Sequence, residues 1–172
     1  MKKLILSLAI IVIASLSATA QTEKGSWLIG GSASFSSSTG STSLSIEPKA
    51  GYFFSNNWAA GLGLNFTSQS SDGFSTTAII GAPFIRYYFL PLGDNVKLFG
   101  NGLIGIGNIS GGGSSSFTTW QLSAGPAVFL NKHTALEFAL AYGGNKYSGS
   151  GAINTFAFLV GFQIHLPGKG KK

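Results

Sequence analysis

Leu44-Ser45-Ile46-Glu47-Pro48-Lys49-Ala50-Gly51-Tyr52-Phe53-Phe54 changes character at nearly every residue. In a β-strand, successive side chains point to opposite faces. Leu44, Ile46, Pro48, Ala50, Tyr52 and Phe54 therefore share one face. Ser45, Glu47, Lys49, Gly51 and Phe53 share the other. The same alternation sets Trp58, Ala60, Leu62, Leu64 and Phe66 against Ala59, Gly61, Gly63, Asn65 and Thr67. It recurs with Phe156, Phe158, Val160, Phe162, Ile164 and Leu166 against Thr155, Ala157, Gly161, Gln163 and His165. A period of two with one bulky apolar face describes strands that are wet or small on one side and greasy on the other.

Two bulk properties say what the greasy face meets. Past residue 20 the chain carries nine basic and five acidic residues in 152, far fewer charges than a water-solvated domain needs. Yet no apolar run is long enough to cross a bilayer as a helix. One of the greasiest stretches, Ile79-Ile80-Gly81-Ala82-Pro83-Phe84-Ile85, stops at Arg86, well short of the ~18 residues a spanning helix requires. Only helices and closed barrels satisfy every backbone polar group in lipid. The expectation is thus all-β: an eight-stranded, antiparallel, up-and-down transmembrane β-barrel.

Strands are expected at 26–36, 44–54, 58–67, 77–89, 96–108, 118–130, 134–142 and 153–166. The connectors alternate in length. Segments 55–57, 90–95 and 131–133 are tight, whereas 37–43, 68–76, 109–117 and 143–152 are longer and rich in Ser and Gly. Short turns on the periplasmic side and longer, mobile loops outside fit an outer-membrane barrel, and an even strand number puts both ends on the periplasmic side.

Residues 1–20 read as a secretory signal peptide: Lys2 and Lys3, an apolar stretch over 4–16, and Ala18-Thr19-Ala20 before a cleavage point at Gln21. The competing reading is an uncleaved anchor, which the short apolar stretch and the A-x-A site disfavour. Residues 21–166 form the barrel domain and 167–172 a basic C-terminal tail. The formal charge of +6 falls to +4 without Lys2 and Lys3, and Lys169, Lys171 and Lys172 carry most of the remainder. Such a tail is not the clustered basic face of a nucleic-acid binder. No cysteine is present, which excludes disulfides, thiolate metal sites and an N-terminal lipid anchor on Cys.

Arg86 orders the ambiguous fourth strand. Arginine facing lipid near mid-membrane costs ~2–4 kcal/mol, so Arg86 points inward, with Ile79, Ile85, Tyr87 and Phe89 outward. The in-strand charges Glu47, Lys49, Arg86, Lys97 and Glu137 then all face the interior. An eight-stranded barrel is just wide enough for side chains to fill it, so these five are expected to form an ion-paired interior network acting as a plug rather than an ion path. On the fifth strand Phe99 and Leu103 share the inward parity of Lys97, implying a bulge or a partly apolar interior. Trp27, Tyr52, Phe54, Trp58 and Phe89 are expected in a periplasmic aromatic belt. Phe35, Phe66, Trp120 and Tyr142 are expected in an outer one. The Gly61/Gly63 and Gly105/Gly107 pairs lack the strand-to-helix context of a dinucleotide site and read as room for larger neighbours.

His133 and His165 have no partners at metal-ligand spacing, and abundant serines alone do not make a nucleophile site. No catalytic, cofactor-binding or metal residues are assigned, and no cofactor is expected. Gly25-Ser26-Trp27 has the Gly-x-Trp form found at the start of lipocalins, but a lipocalin needs a charged, water-facing exterior.

Pro83-Phe84-Ile85-Arg86-Tyr87-Tyr88-Phe89, Gly125-Pro126-Ala127-Val128-Phe129-Leu130 with its Asn131-Lys132 turn, Ala135-Leu136-Glu137, and Ala18-Thr19-Ala20-Gln21 carry a resemblance. The chain resembles the small outer-membrane β-barrel proteins of the OmpA/OmpX-like class, especially the Bacteroidetes-type barrel domain. The resemblance implies an eight-stranded barrel assembled in the outer membrane of a Gram-negative cell envelope, often without a known activity. Such chains commonly end on an aromatic residue; here Phe162-Gln163-Ile164-His165-Leu166 is followed by six further residues. The expected function is structural or interactive, with four surface loops. The alternatives are a small pore or hydrophobic-solute transporter, and a lipid-modifying outer-membrane enzyme. Expected partners are outer-membrane lipid and the barrel-assembly machinery during biogenesis, with no nucleic acid, a monomeric state and an unassigned loop ligand.

Overall fold

The computed structural model describes residues 22–38, 41–71, 74–111, 114–147 and 151–168. The expected signal peptide with its cleavage point at Gln21, and the tail lysines Lys169, Lys171 and Lys172, lie outside the described residues. Eight strands follow one another: β1 (Trp27–Ser38), β2 (Ser41–Ser55), β3 (Trp58–Ser71), β4 (Phe74–Pro91), β5 (Val96–Ser110), β6 (Ser114–Phe129), β7 (Thr134–Tyr147) and β8 (Ala152–Leu166). Each pairs antiparallel with its sequence neighbour, and β1 pairs with β8, closing the barrel.

The register sets the width. From Trp27, paired residues run through Tyr52, Ala60, Ile85, Gly102, Leu122 and Tyr142 to Phe156 on β8. Trp27 itself pairs with Leu166, so the sheet closes with a stagger of ten residues (166 − 156). With about 3.3 Å per residue and about 4.8 Å between strands, that stagger gives a tilt of about 40° and a backbone radius of about 8 Å. Such an interior accepts side chains and little else.

Alternation holds around the wall. On β2, Leu44, Ile46, Tyr52 and Phe54 are exposed, while Glu47, Lys49, Gly51 and Phe53 are buried. β4 takes the parity that Arg86 dictates: Ile79, Ile85 and Phe89 are exposed, and Phe84, Arg86 and Tyr88 are buried. Three prolines sit inside strands. Proline has no N–H for the ladder, and pairing lapses beside each: Pro48 towards β3, Pro83 towards β5, Pro126 towards β7. The register resumes unshifted in all three cases, so each costs local bonds without moving a side chain to the wrong face.

The strands are longer at the outer end than the sequence implies. Residues 39–40, 72–73, 111–113 and 148–151 separate the outer strand pairs, in place of the longer loops expected at 37–43, 68–76, 109–117 and 143–152. A ladder needs only backbone groups, and Ser and Thr tolerate extended geometry once a neighbouring strand is in place. The turns expected on the periplasmic side, at 56–57, 92–95 and 130–133, are short. Asn57 takes a left-handed φ of 65°, which Asn tolerates better than most residues.

Candidate functional site: the barrel interior

The half of the lumen at the end where the chain enters β1, the end expected to be periplasmic, is packed with side chains. Leu28, Phe53, Phe84, Tyr88, Phe99 and Phe129 form an apolar core around His165, whose ring lies 5.2–5.9 Å from those of Phe53, Tyr88 and Phe129. Phe84 occupies space left by Gly51, where an added Cβ would stand 2.9 Å from the ring. On this floor lies the central ion pair. Arg86 Nη1 donates to Glu137 Oε1 at 2.6 Å, and both side chains are buried. Tyr88 Oη donates to the same oxygen at 3.3 Å, and Gln163 Nε2 donates to Glu137 Oε2 at 3.2 Å. Arg86 Nε reaches Asn101 Oδ1 at 3.4 Å, and the guanidinium carbon lies 4.3 Å from the centre of the Phe99 ring. β4 and β7 are not neighbours, so this pair spans the lumen.

The five inward charges do not make one network. Glu47 and Lys49, two residues apart on one face of β2, pair with each other at 2.9 Å. Lys97 stands at the periplasmic end of β5, half buried, and donates to Thr22 Oγ1 at 2.7 Å. Parity predicts direction but not height along the axis, and height separates these groups into a central pair, an upper pair and a rim lysine.

Lys97 meets a feature that patterning does not reveal. Residues 22–26 fold back across the periplasmic mouth. Gly25 N–H donates to Phe53 O at 2.8 Å, Phe53 N–H to Ser26 O at 2.9 Å, and Asn57 N–H to Thr22 O at 2.7 Å. Thr22 Oγ1 also donates to Asn57 Oδ1 at 2.6 Å. Thr22 and Ser26 are buried although they precede the first strand.

The outer half is different. A cavity of about 580 Å³ lies above the Glu47–Lys49 pair. Ser45, Asn65, Thr67, Gln121 and Asn145 line it beside Ile80, Ala82 and Leu103. Asn65 Nδ2 donates to Ser45 Oγ at 2.8 Å, and Thr67 Oγ1 bridges to both.

On the outer surface the expected aromatic residues form clusters. Trp58 stacks on Tyr87 at 4.3 Å, and Trp27 meets Tyr52 edge-on at 5.2 Å, with Phe54 and Phe89 adjoining. At the other end Trp120 meets Tyr142 edge-on at 5.7 Å. Leu62, Leu64, Ile104, Leu122 and Leu140 stand exposed between the two groups. His133 lies in the exposed β6–β7 turn, and its carbonyl accepts from His165 N–H. Among the described residues no three of His, Asp and Glu stand close enough to hold a metal ion.

Tyr88, Asn101, Gln163 and Thr22 are interior partners that the sequence does not single out. The one signal available for Tyr88 is its parity with Arg86 two residues earlier.

A model of the family described as "outer membrane protein beta-barrel domain" matches residues 6–165. No curated protein matches. Among solved structures the chain is similar to Neisserial surface protein A, with 16% identity, TM-score 0.63, and coverage of 82% of this chain and 97% of that one. It is similar to the N-terminal β-barrel domain of Pseudomonas aeruginosa OprF, with 14% identity, TM-score 0.58, and 83% and 98% covered. It is also similar to the outer membrane protein OprG from Pseudomonas aeruginosa, with 12% identity, TM-score 0.53, and 88% and 99% covered. At these identities the likeness is one of fold.

Proposed function

The chain belongs to the outer membrane protein beta-barrel domain family, and from that premise we propose that it is a non-catalytic, monomeric barrel of structural or interaction type. Its periplasmic half is plugged, and its four outer strand connections face the exterior. We place it nearest the OmpA/OmpX-like class, of Bacteroidetes type, on the motifs around Arg86, Pro126 and Glu137. In this reading residues 1–20 are a cleaved signal peptide, the barrel-assembly machinery inserts the mature chain, outer-membrane lipid surrounds it, and no cofactor is used.

The observation that carries the plug is the Arg86–Glu137 pair lying across the lumen on an aromatic floor. Water and ions passing through a barrel of about 8 Å backbone radius need the space these side chains occupy. Residues 22–26 add a second obstruction at the mouth. The test is single-channel recording of the refolded barrel in planar bilayers. A plugged barrel gives no steps above background, whereas a Glu137→Gly variant, which removes a side chain from the constriction, gives small ones. Stable conductance steps from the unaltered chain would reject the reading in favour of a small pore.

A further inference from the structure

The wall of the barrel is not closed along its full height. Among the described residues the β1–β8 ladder runs only from Trp27↔Leu166 to Ala33↔Val160. β1 continues to Ser38 and β8 reaches up to Ala152, each still paired on its other side. Residues 34–38 and 152–159 thus flank a seam. For strands tilted by about 40°, each residue climbs about 2.5 Å, which starts the seam roughly 15 Å above Trp27. Trp120 and Tyr142, by the same reckoning, stand roughly 20 Å above it, so the lower part of the seam opens below the outer aromatic belt, within the lipid-facing band.

The cavity continues into this seam. Besides inward residues it is lined by Ala33, Phe35, Phe158 and Val160, which sit on the outward parity of β1 and β8. Backbone groups along an unpaired edge are not tolerated in hydrocarbon unless they border a water-filled or polar space. Here they border one. Their ladder groups join the hydroxyls and amides of Ser45, Asn65, Thr67 and Gln121 in offering hydrogen bonds at one end of a path whose other end is apolar. Glu47 is the one charged residue among the described lining, and its carboxylate disfavours an anion.

We propose that the outer half of the lumen binds the head of an amphiphile rich in hydroxyl or amine donors, while its alkyl chain passes sideways through the β1–β8 seam into the lipid. The cavity volume falls within the range of about 300–1,000 Å³ seen for small-ligand sites. The ligand reaches the site laterally from the membrane and does not cross the packed periplasmic half. The proposal is independent of any role for the exposed loops.

The chain has no cysteine, so the seam can be locked cleanly. Continuing the register from Ala33↔Val160 puts position 34 opposite position 159, and Ser34→Cys/Leu159→Cys places a disulfide across it. The full barrel is refolded into phosphatidylcholine vesicles with dodecyl glucoside carrying a photoreactive diazirine beside the sugar, and adducts are mapped by mass spectrometry. The open barrel is expected to label at Asn65 and Gln121. Oxidising the cysteine pair should cut that labelling at least tenfold, reduction should restore it, and labelling of lipid-facing Leu62 should stay unchanged. Ala157→Trp, which fills the cavity without joining the strands, should abolish lumen labelling and covers the case in which the disulfide does not form. Unlabelled dodecyl glucoside should compete at least tenfold better than dodecanoate. Lumen labelling that persists with the seam locked, or with Ala157→Trp, overturns the proposal, as does its absence in the open barrel.

Discussion

Glu137→Ala should be the most damaging single truncation in this barrel. Glu137 accepts from Arg86 at 2.6 Å, from Tyr88 at 3.3 Å and from Gln163 at 3.2 Å. Removing it leaves the guanidinium, 2% exposed, with only a 3.4 Å contact to Asn101, a 3.3 Å contact to Tyr88 and the Phe99 ring face. Arginine cannot shed its charge, and breaking a buried pair costs ~3–5 kcal/mol. The loss for Glu137→Ala is therefore expected at the upper end of that range. Arg86→Ala should cost less, ~3 kcal/mol, because the stranded carboxylate keeps Tyr88 and Gln163 as hydrogen-bond donors. The double variant should lose less than the sum of the two by ~2–3 kcal/mol, since it strands neither charge. Replacing the pair by Arg86→Met/Glu137→Leu should come near to neutral, as an apolar pair of similar volume avoids desolvating two ions. Urea unfolding of the refolded barrel in detergent micelles or lipid vesicles measures each value. Additive losses would show that the two side chains do not stabilise one another, and would remove the basis for treating them as the plug.

Three other changes probe separate parts of the structure. Gly51→Val pushes a side chain against the Phe84 ring, 2.9 Å from the first added carbon, and should cost ~1–3 kcal/mol in the same unfolding assay through overpacking. Leu62→Arg on the lipid face should cost ~2–4 kcal/mol, whereas Gln121→Arg, facing the cavity, should cost less than ~1 kcal/mol; equal losses would contradict the assigned faces. Thr22→Val removes the hydroxyl that joins Lys97 to Asn57 and should lower stability by ~1–2 kcal/mol, with faster proteolysis near residue 22 as the accompanying sign that the segment across the mouth has loosened.

The faces of the barrel were legible because alternation is a local signal. In β2, β3 and β8 nearly every bulky apolar side chain falls on one parity, and the solvent outside demands it. Arg86 settled β4 by cost alone. Four things were not legible, each for a physical reason. Phe53 and Phe99 were placed inward by parity, but that they join Phe129 in one packed apolar core was not foreseen, because parity gives a side chain's direction and not its neighbours across the lumen. The heights of Glu47, Lys49, Arg86, Lys97 and Glu137 follow from the ten-residue stagger, a property of the closed sheet that no single strand encodes. The outer strand ends ran into Ser- and Gly-rich stretches, where composition suggests a loop but backbone pairing continues. The seam between β1 and β8 joins the two ends of the chain, and no local pattern marks it.

Along each strand, alternation separates lipid from lumen, in a sheet whose β1–β8 ladder closes its lower part. The direct measurement is site-directed spin labelling along β3, possible because the chain holds no cysteine of its own. Single cysteines at Ala59, Ala60, Gly61, Leu62, Gly63, Leu64 and Asn65, each labelled in the barrel refolded into bilayers, report their accessibility to oxygen dissolved in lipid. The expected result is a period of two, with high accessibility at Ala60, Leu62 and Leu64 and low values between them. A flat profile, a period near 3.6 residues, or maxima at Gly61, Gly63 and Asn65 would contradict the barrel described here.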